Sequence, residues 1–176
     1  EQALDGLQSG ELALSEDDRT ALLETIRAEH GRLKRLVENL LDLSRLQGDA
    51  ATSRPEVWTV DELVSQALEE LSGAERVVVV SAHEVPPVRV DAAQIQRALV
   101  NVLENALRIS PAEEPVHVRV SATRKEVLVR VTDRGPGIPE EDRERVFEPF
   151  HRVEGRAHER GAGLGLAIAR GFATAN

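Results

Sequence analysis

Two different spacings of apolar residues divide this chain. Between residues 16 and 47 they recur at helical intervals. Ile26, Leu33 and Leu40 stand seven apart, and Leu22, Leu36 and Leu43 fill a second seam position. Leu23, Val37, Leu41 and Leu46 widen that face beyond the stripe of a two-helix coil. Ser15, with Asp18 three residues on, has the form of a capping box, so one long helix is expected from about Glu16 to Gln47, closed by Gly48. A lone helix cannot bury so wide a face, and the pattern predicts a helical hairpin that dimerises into a four-helix bundle. Glu1 to Gly10 carries the turn formers Gly6, Ser9 and Gly10, and Asp49 to Pro55, small and polar, reads as a linker.

Past Pro55 the spacing shortens. Val57 to Val60 predicts a short strand, and Asp61 a cap for a helix carrying Leu63, Val64, Ala67, Leu68 and Leu71. Arg76 to Ala82 is rich in β-branched residues and is expected to be a strand. Pro86 and Pro87 force extended chain into a strand at Val88–Val90. Asp91 should cap a helix through about Ile109, with Ile95, Leu99, Val102, Leu103 and Ala106 inward and Pro111 as its stop. Val116, Val118 and Val120 alternate with His117 and Arg119, and Val127, Val129 and Val131 with Leu128 and Arg130. The short Thr123-Arg124-Lys125 between them makes an antiparallel hairpin. Asp133 to Gly137 is a turn-rich loop, Pro139 to Arg160 is charged with few apolar anchors, and Gly161 to Leu166 is a glycine-rich loop opening a last helix, Leu164 to about Ala175.

Composition narrows the chemistry. The chain has 176 residues, 41% apolar and 30% charged, a globular balance with room for one domain and a modest extra element. Aromatics are only 2%, so the core must be built from Leu, Val, Ile and Ala. The 31 acidic and 22 basic side chains leave a formal charge of −9, which disfavours general binding to nucleic acid or to anionic membrane surfaces. No cysteine means no disulfide, no thiolate nucleophile and no thiolate metal ligand. The longest purely apolar run, Val77–Val80, is far short of a membrane span. With no methionine and Glu at position 1, the sequence reads as a piece of a longer chain.

Four features in the second half carry chemistry. Asn101 and Asn105 stand at i, i+4, so their carboxamides share a helix face; a neutral amide oxygen can ligate Mg²⁺ and leave room for phosphate oxygens, and Arg108 lies one turn on. Asp133, Gly135 and Gly137 follow a strand, where a carboxylate can accept from the exocyclic amine of adenine and glycines let backbone approach a flat base. Gly161, Gly163 and Gly165 place bare amides at a helix start, suited to phosphate. Phe147 and Phe150 interrupt the charged stretch and are expected to pin one end of a lid. Taken singly, each is also ordinary chemistry of a solvated helix face, a turn, a hinge or a core contact.

In this order and spacing the four together resemble the two-component sensor histidine kinases, with the KdpD-like kinases as the nearest subtype. Asn101-Val-Leu-Glu-Asn105-Ala is similar to the family's N box, Asp133-Arg-Gly-Pro-Gly137 to its G1 box, Val146 to Arg152 to its F box and Gly161 to Leu166 to its G2 box. Arg35 to Arg45 resembles the second helix of the dimerisation and phosphotransfer domain. The resemblance implies an α+β fold: an N-terminal helical-hairpin dimerisation element over residues 1–48, a linker over 49–55, and a two-layer α/β sandwich of the Bergerat ATP-binding type over 56–176. It implies ATP and Mg²⁺ as cofactors, with Asn105 as the metal ligand and Asn101 supporting it. Asp133, Gly135, Gly137 and Ile138 would form the base pocket. Arg108 and Arg152 would meet phosphate, and Gly161, Gly163, Leu164 and Gly165 would form the lid hinge and phosphate loop. The implied reaction moves the γ-phosphoryl group of ATP to a histidine, for relay to the receiver domain of a response regulator. The partners implied are a second copy through the N-terminal helices and that receiver, in a cytoplasmic kinase core, whether or not the parent chain is anchored in a membrane.

The sequence departs from the family pattern in three places. The acceptor motif, a His followed by an acidic residue and Arg-x-Pro, is absent and is expected upstream of residue 1; His30, followed by Gly31, does not replace it. The chain is therefore expected to bind Mg-ATP without phosphorylating itself. Ile109 stands where the family often carries an aromatic against the nucleotide. Asn176 falls where further strands are expected, so the sheet should lack its C-terminal strands. Two alternatives stand beside the kinase. A related ATPase of the gyrase, MutL or chaperone kind would need a carboxylate where Asn101 stands, since an amide takes no proton at neutral pH, and Glu104 points about a hundred degrees away from Asn105. An anti-sigma-type serine kinase does not account for the long heptad helix. A non-catalytic dimerisation and nucleotide-sensing module is the reading from a different class.

Overall fold

The computed structural model describes residues 15–47, 53–153 and 161–176. The expected stop at Gly48, the turns within Glu1–Gly10, most of the linker and the part of the charged segment that holds His158 lie outside these residues. The chain falls into two compact units, Glu1–Leu40 and Leu41–Asn176.

Helix α1, Glu16–Gln47, begins where the capping box was expected. The Ser15 hydroxyl accepts from the Asp18 amide at 3.1 Å, and the Asp18 carboxylate accepts from the Ser15 amide at 3.3 Å. Glu16, Asp17 and Asp18 in its first turn and Arg45 in its last complement the helix dipole. Leu23, Ile26, Leu33, Val37 and Leu40 remain exposed along it, up to 61% at Leu33. That apolar stripe is far larger than a solvated helix carries.

The second unit is an α+β sandwich. Strand β1, Glu56–Trp58, pairs antiparallel with β3, Val88–Val90. A separate three-stranded sheet has the order β2–β4–β5, with β2 Val77–Ser81, β4 Val116–Ala122 and β5 Val127–Thr132. β2 runs parallel to β4, and β4 forms the expected hairpin with β5. Alternation places Val116, Val118 and Val120 on one buried face of β4. Helices α2, Val60–Glu69, and α3, Ala92–Ile109, cover that face with Val64, Ala67, Val100, Leu103, Ala106 and Leu107. α4, Gly165–Ala175, packs along α3 through its own buried face of Ala167, Ile168, Ala169 and Phe172.

Several expected boundaries are corrected. Val57 to Val60 is not all strand: pairing ends at Trp58, and Thr59 rather than Asp61 caps α2. The Thr59 hydroxyl accepts from the Glu62 amide at 3.3 Å while Glu62 accepts from the Thr59 amide at 3.0 Å, a reciprocal bond that Asp61, already inside the helix, cannot make. The Thr59 hydroxyl and amide together hold the Glu62 carboxyl below its ordinary pKa. The stabilisation from that lowered value is present above the unfolded carboxylate pKa and is lost as pH falls through the folded one. Leu71 is buried but lies beyond the end of α2. Arg76 belongs to a short 3₁₀ turn, Ala74–Arg76, rather than to β2. Its guanidinium donates to the carbonyls of Leu107 at 3.3 Å and Glu114 at 3.0 Å, fastening the exit of α3. The last helix starts at Gly165, one residue later than expected.

Asp91 caps α3 as expected and does more. Its carboxylate accepts from the amides of Gln94 at 3.2 Å and Arg54 at 2.9 Å, and its own amide donates to Asn176 at 2.7 Å. Replacing Asp91 with alanine is expected to lower the unfolding free energy by about 1–2 kcal/mol, read from the denaturant midpoint at unchanged slope.

Candidate functional site

The apolar side of α3 goes into the core, so Asn101, Asn105 and Arg108 are carried on its flank. Asn101 is buried and donates from Nδ2 to the Arg97 carbonyl at 2.9 Å. Its Oδ1 lies 3.0 Å from where a Cβ would stand on Gly165, the first residue of α4. Asn105 is half-buried, and its Oδ1 accepts from the Arg108 guanidinium at 2.5 Å. The same guanidinium lies beside Gly161, 3.6 Å from the position its Cβ would take. The helix flank and the glycine loop, far apart in sequence, are thus brought to one place. At Gly165 a side chain would press on Asn101.

A second cluster forms at the end of β5. Asp133 Oδ1 accepts from the Gly135 amide at 2.8 Å, closing a tight turn. The Arg134 amide donates to the buried Ser110 hydroxyl at 3.1 Å, which ties this turn to the end of α3. A Cβ on Gly135 would lie 2.9 Å from Asp133 Oδ1 and 3.0 Å from Ile109 Cγ1. Ile109 therefore packs directly on the turn that Asp133 organises. Gly137 follows with φ 75°, and Ile138 is exposed beyond it. Arg152 is exposed on the segment after Phe150.

Phe147 and Phe150 do not bury as a simple core pair. Phe150 is 61% exposed, and Phe147 lies under the Arg170 guanidinium of α4, 5.6 Å from ring centre to Cζ. The anchoring at Phe150 comes from its backbone, whose amide donates to the Gly163 carbonyl at 2.9 Å. Asp142, His151 and Ser110 are the polar groups near these segments that spacing did not single out. Only the position of His151 between Phe150 and Arg152 hinted at a part in the loop.

The polar groups fit a magnesium nucleotide by their chemistry. Amide oxygens from Asn101 and Asn105 are hard, uncharged donors, and Arg108 brings a phosphate-seeking fork to the same flank. Among the described residues no group of three or more His, Asp or Glu side chains forms a metal site of its own. Glu104 is exposed on α3.

Residues 90–176 match the family model of the histidine kinase-, DNA gyrase B- and HSP90-like ATPases. The sensor protein KdpD of Mycobacterium tuberculosis is 36% identical over 184 residues, covering 98% of this chain and 21% of that protein. A solved mycobacterial sensor histidine kinase, MprB, is 31% identical, with a TM-score of 0.57 over 70% of this chain and 80% of its own. The chain belongs to the two-component sensor histidine kinases. A full-length histidine kinase, ShkA, solved in complex with AMPPNP, superposes with a TM-score of 0.73 over 93% of this chain and 35% of its own, at 26% identity. This histidine kinase chain spans about a fifth of the length of the KdpD relatives it matches. Among its described residues no helix is long and apolar enough to cross a membrane.

The packing of Ile109 on Gly135 leaves no room for a methyl group. Gly135→Ala is expected to destabilise the kinase domain by about 1–3 kcal/mol, measured by chemical denaturation, because Asp133 or Ile109 must yield.

Proposed function

We propose that this chain is the cytoplasmic kinase core of a sensor histidine kinase, binding Mg-ATP and moving its γ-phosphoryl group to a histidine of the parent protein. Residues 1–48 form part of the dimerisation and phosphotransfer helices, 49–55 the linker and 56–176 the ATP-binding catalytic domain. The observation that carries this reading is the meeting of α3 with the glycine loop, with Asn101 against Gly165 and Arg108 between Asn105 and Gly161.

In this reading each residue has a defined task. Asp133 accepts from the adenine amine, and Gly135, Gly137 and Ile138 shape the pocket around the base. Asn105 would hold the Mg²⁺, with Asn101 supporting it. The bound ion supplies charge neutralisation at the phosphate oxygens. Arg108 and Arg152 meet phosphate, and the amides of Gly161, Gly163, Leu164 and Gly165 cradle it. The chain's contribution is positioning and electrostatics rather than covalent chemistry. An amide at Asn101 takes no proton from water, which favours transfer over hydrolysis.

The exposed stripe on α1 supports a homodimer through this helix, since Leu33, Ile26 and Leu40 stand at one seam. A response regulator receiver domain is the proposed acceptor downstream of the phosphohistidine.

Three experiments test the reading. Calorimetric titration with Mg-ADP should show micromolar-to-millimolar binding, weakened about tenfold or more in Asp133→Asn. No binding to a folded chain would move the dimerisation-module alternative ahead. Incubated with Mg-ATP, the 176 residues should form no stable phosphohistidine, yet should phosphorylate a supplied domain bearing the acceptor motif. In sedimentation, Leu33→Glu should shift the dimer to monomer while Mg-ADP binding persists.

A further inference from the structure

Asp142 and His151, both largely covered, take no part in the nucleotide reading. Asp142, at the end of the 3₁₀ turn Glu140–Asp142, is 8% exposed. The His151 ring lies against it, with Nε2 2.9 Å from Asp142 Oδ1, and Arg145 Nη1 stands 3.6 Å from the same oxygen. A covered carboxylate is costly unless it is partnered, so this contact holds the imidazole in one place, with the carboxylate accepting and the ring N–H donating.

What the ring fixes is the backbone beside it. The His151 carbonyl oxygen lies 2.7 Å from where a Cβ would stand on Gly163, and Phe150 Cα lies at 3.1 Å. The Phe150 amide donates to the Gly163 carbonyl at 2.9 Å. Phe150 has φ 65° and Gly163 φ 70°, so two left-handed residues face each other across this contact. A phenylalanine in that region persists only where its surroundings over-determine it. Gly163 on one side and the Asp142–His151 pair on the other supply the constraint. Two residues on from Gly163, Gly165 lies over Asn101.

We propose that Asp142 and His151 are positioning residues for the glycine loop: their hydrogen bond sets the backbone at 150–151 against Gly163 and so fixes the loop for nucleotide phosphates rather than for the base. The proposal rests on the Mg-nucleotide reading of the site. It predicts a split that a purely structural role does not produce, because adenosine has a base and no phosphates.

The test compares Mg-ADP with adenosine, by calorimetry and by NMR titration, in the wild-type chain, His151→Ala and His151→Gln. His151→Ala should weaken Mg-ADP about fivefold or more and leave adenosine within about twofold. His151→Gln, which keeps an N–H at similar reach, should recover most of the loss. Equal weakening of both ligands, or no change in either, with wild-type binding intact, overturns the positioning role alone. Failure of the wild-type chain to bind Mg-ADP overturns the nucleotide reading and the proposal with it, an outcome seen before any variant is made. Should His151→Ala not fold, His151→Phe keeps the buried volume and removes only the donor. It should show the same split together with faster hydrogen exchange at the Phe150 amide, and unchanged exchange there overturns the proposal.

Discussion

Helix α3 works under a double constraint from which the rest of the nucleotide-binding unit follows. One side of it must bury Val100, Leu103, Ala106 and Leu107 over the Val116–Val118–Val120 face of β4. Each of the larger side chains contributes about 1.5–3 kcal/mol by leaving water, so the rotation of the helix about its axis is not free. That fixed rotation decides where Asn101, Asn105 and Arg108 fall. A polar site built on the flank of a core helix inherits the precision of the core, which a loop-borne site lacks. The caps at Asp91 and the Arg76 bonds to the Leu107 and Glu114 carbonyls hold the two ends of the same helix.

Against this rigid element the glycine segments make close approaches. Gly165 meets Asn101 and Gly135 meets Ile109 at distances that a side chain would alter, and Gly161 lies in ordinary contact with Arg108. The glycines are thus not merely flexible punctuation. Ile109 is the side chain that Gly135 approaches. Here a branched aliphatic seats on the Gly135 turn, so the turn bearing Asp133 is supported by packing from beneath. The Asp133 turn is held in this chain by a contact made wholly within the protein.

Much of this was legible from spacing. The long helix, α3 with its Asp91 cap and the β4–β5 hairpin were clear because each has an unbroken period of 3.6 or 2 and a capping or turn residue at its end. The four motifs in order were enough to name the family. Spacing misplaced the start of α2, where Val57 to Val60 reads as one apolar run. Thr59 and Asp61 are both good capping types, and only Thr59 has Glu62 three residues on. It also missed Arg76, whose bonds reach carbonyls more than thirty residues away. The Asp142–His151 pair was not visible for a related reason. It lies in a charged segment where acidic residues are abundant, and nothing local distinguishes the one carboxylate that is buried. Side chains that act through long-range backbone contacts leave no periodic trace.

The parallel pairing of β2 with β4 has a consequence for how the domain is made. Val77 finds its partner only at Val116, and the whole of α3 lies between them. Such a pairing is entropically late, because a long loop must close before it is rewarded. During synthesis the Val77–Val80 run emerges first and has no strand to join until β4 has followed it out. It is the segment most exposed to wrong association in that interval, being β-branched, uncharged and short of any internal breaker. The charged hairpin positions Arg119 and Arg130, cross-strand neighbours on the finished sheet, arrive only afterwards. The speed at which α3 folds onto β4 therefore bears on yield as well as on architecture.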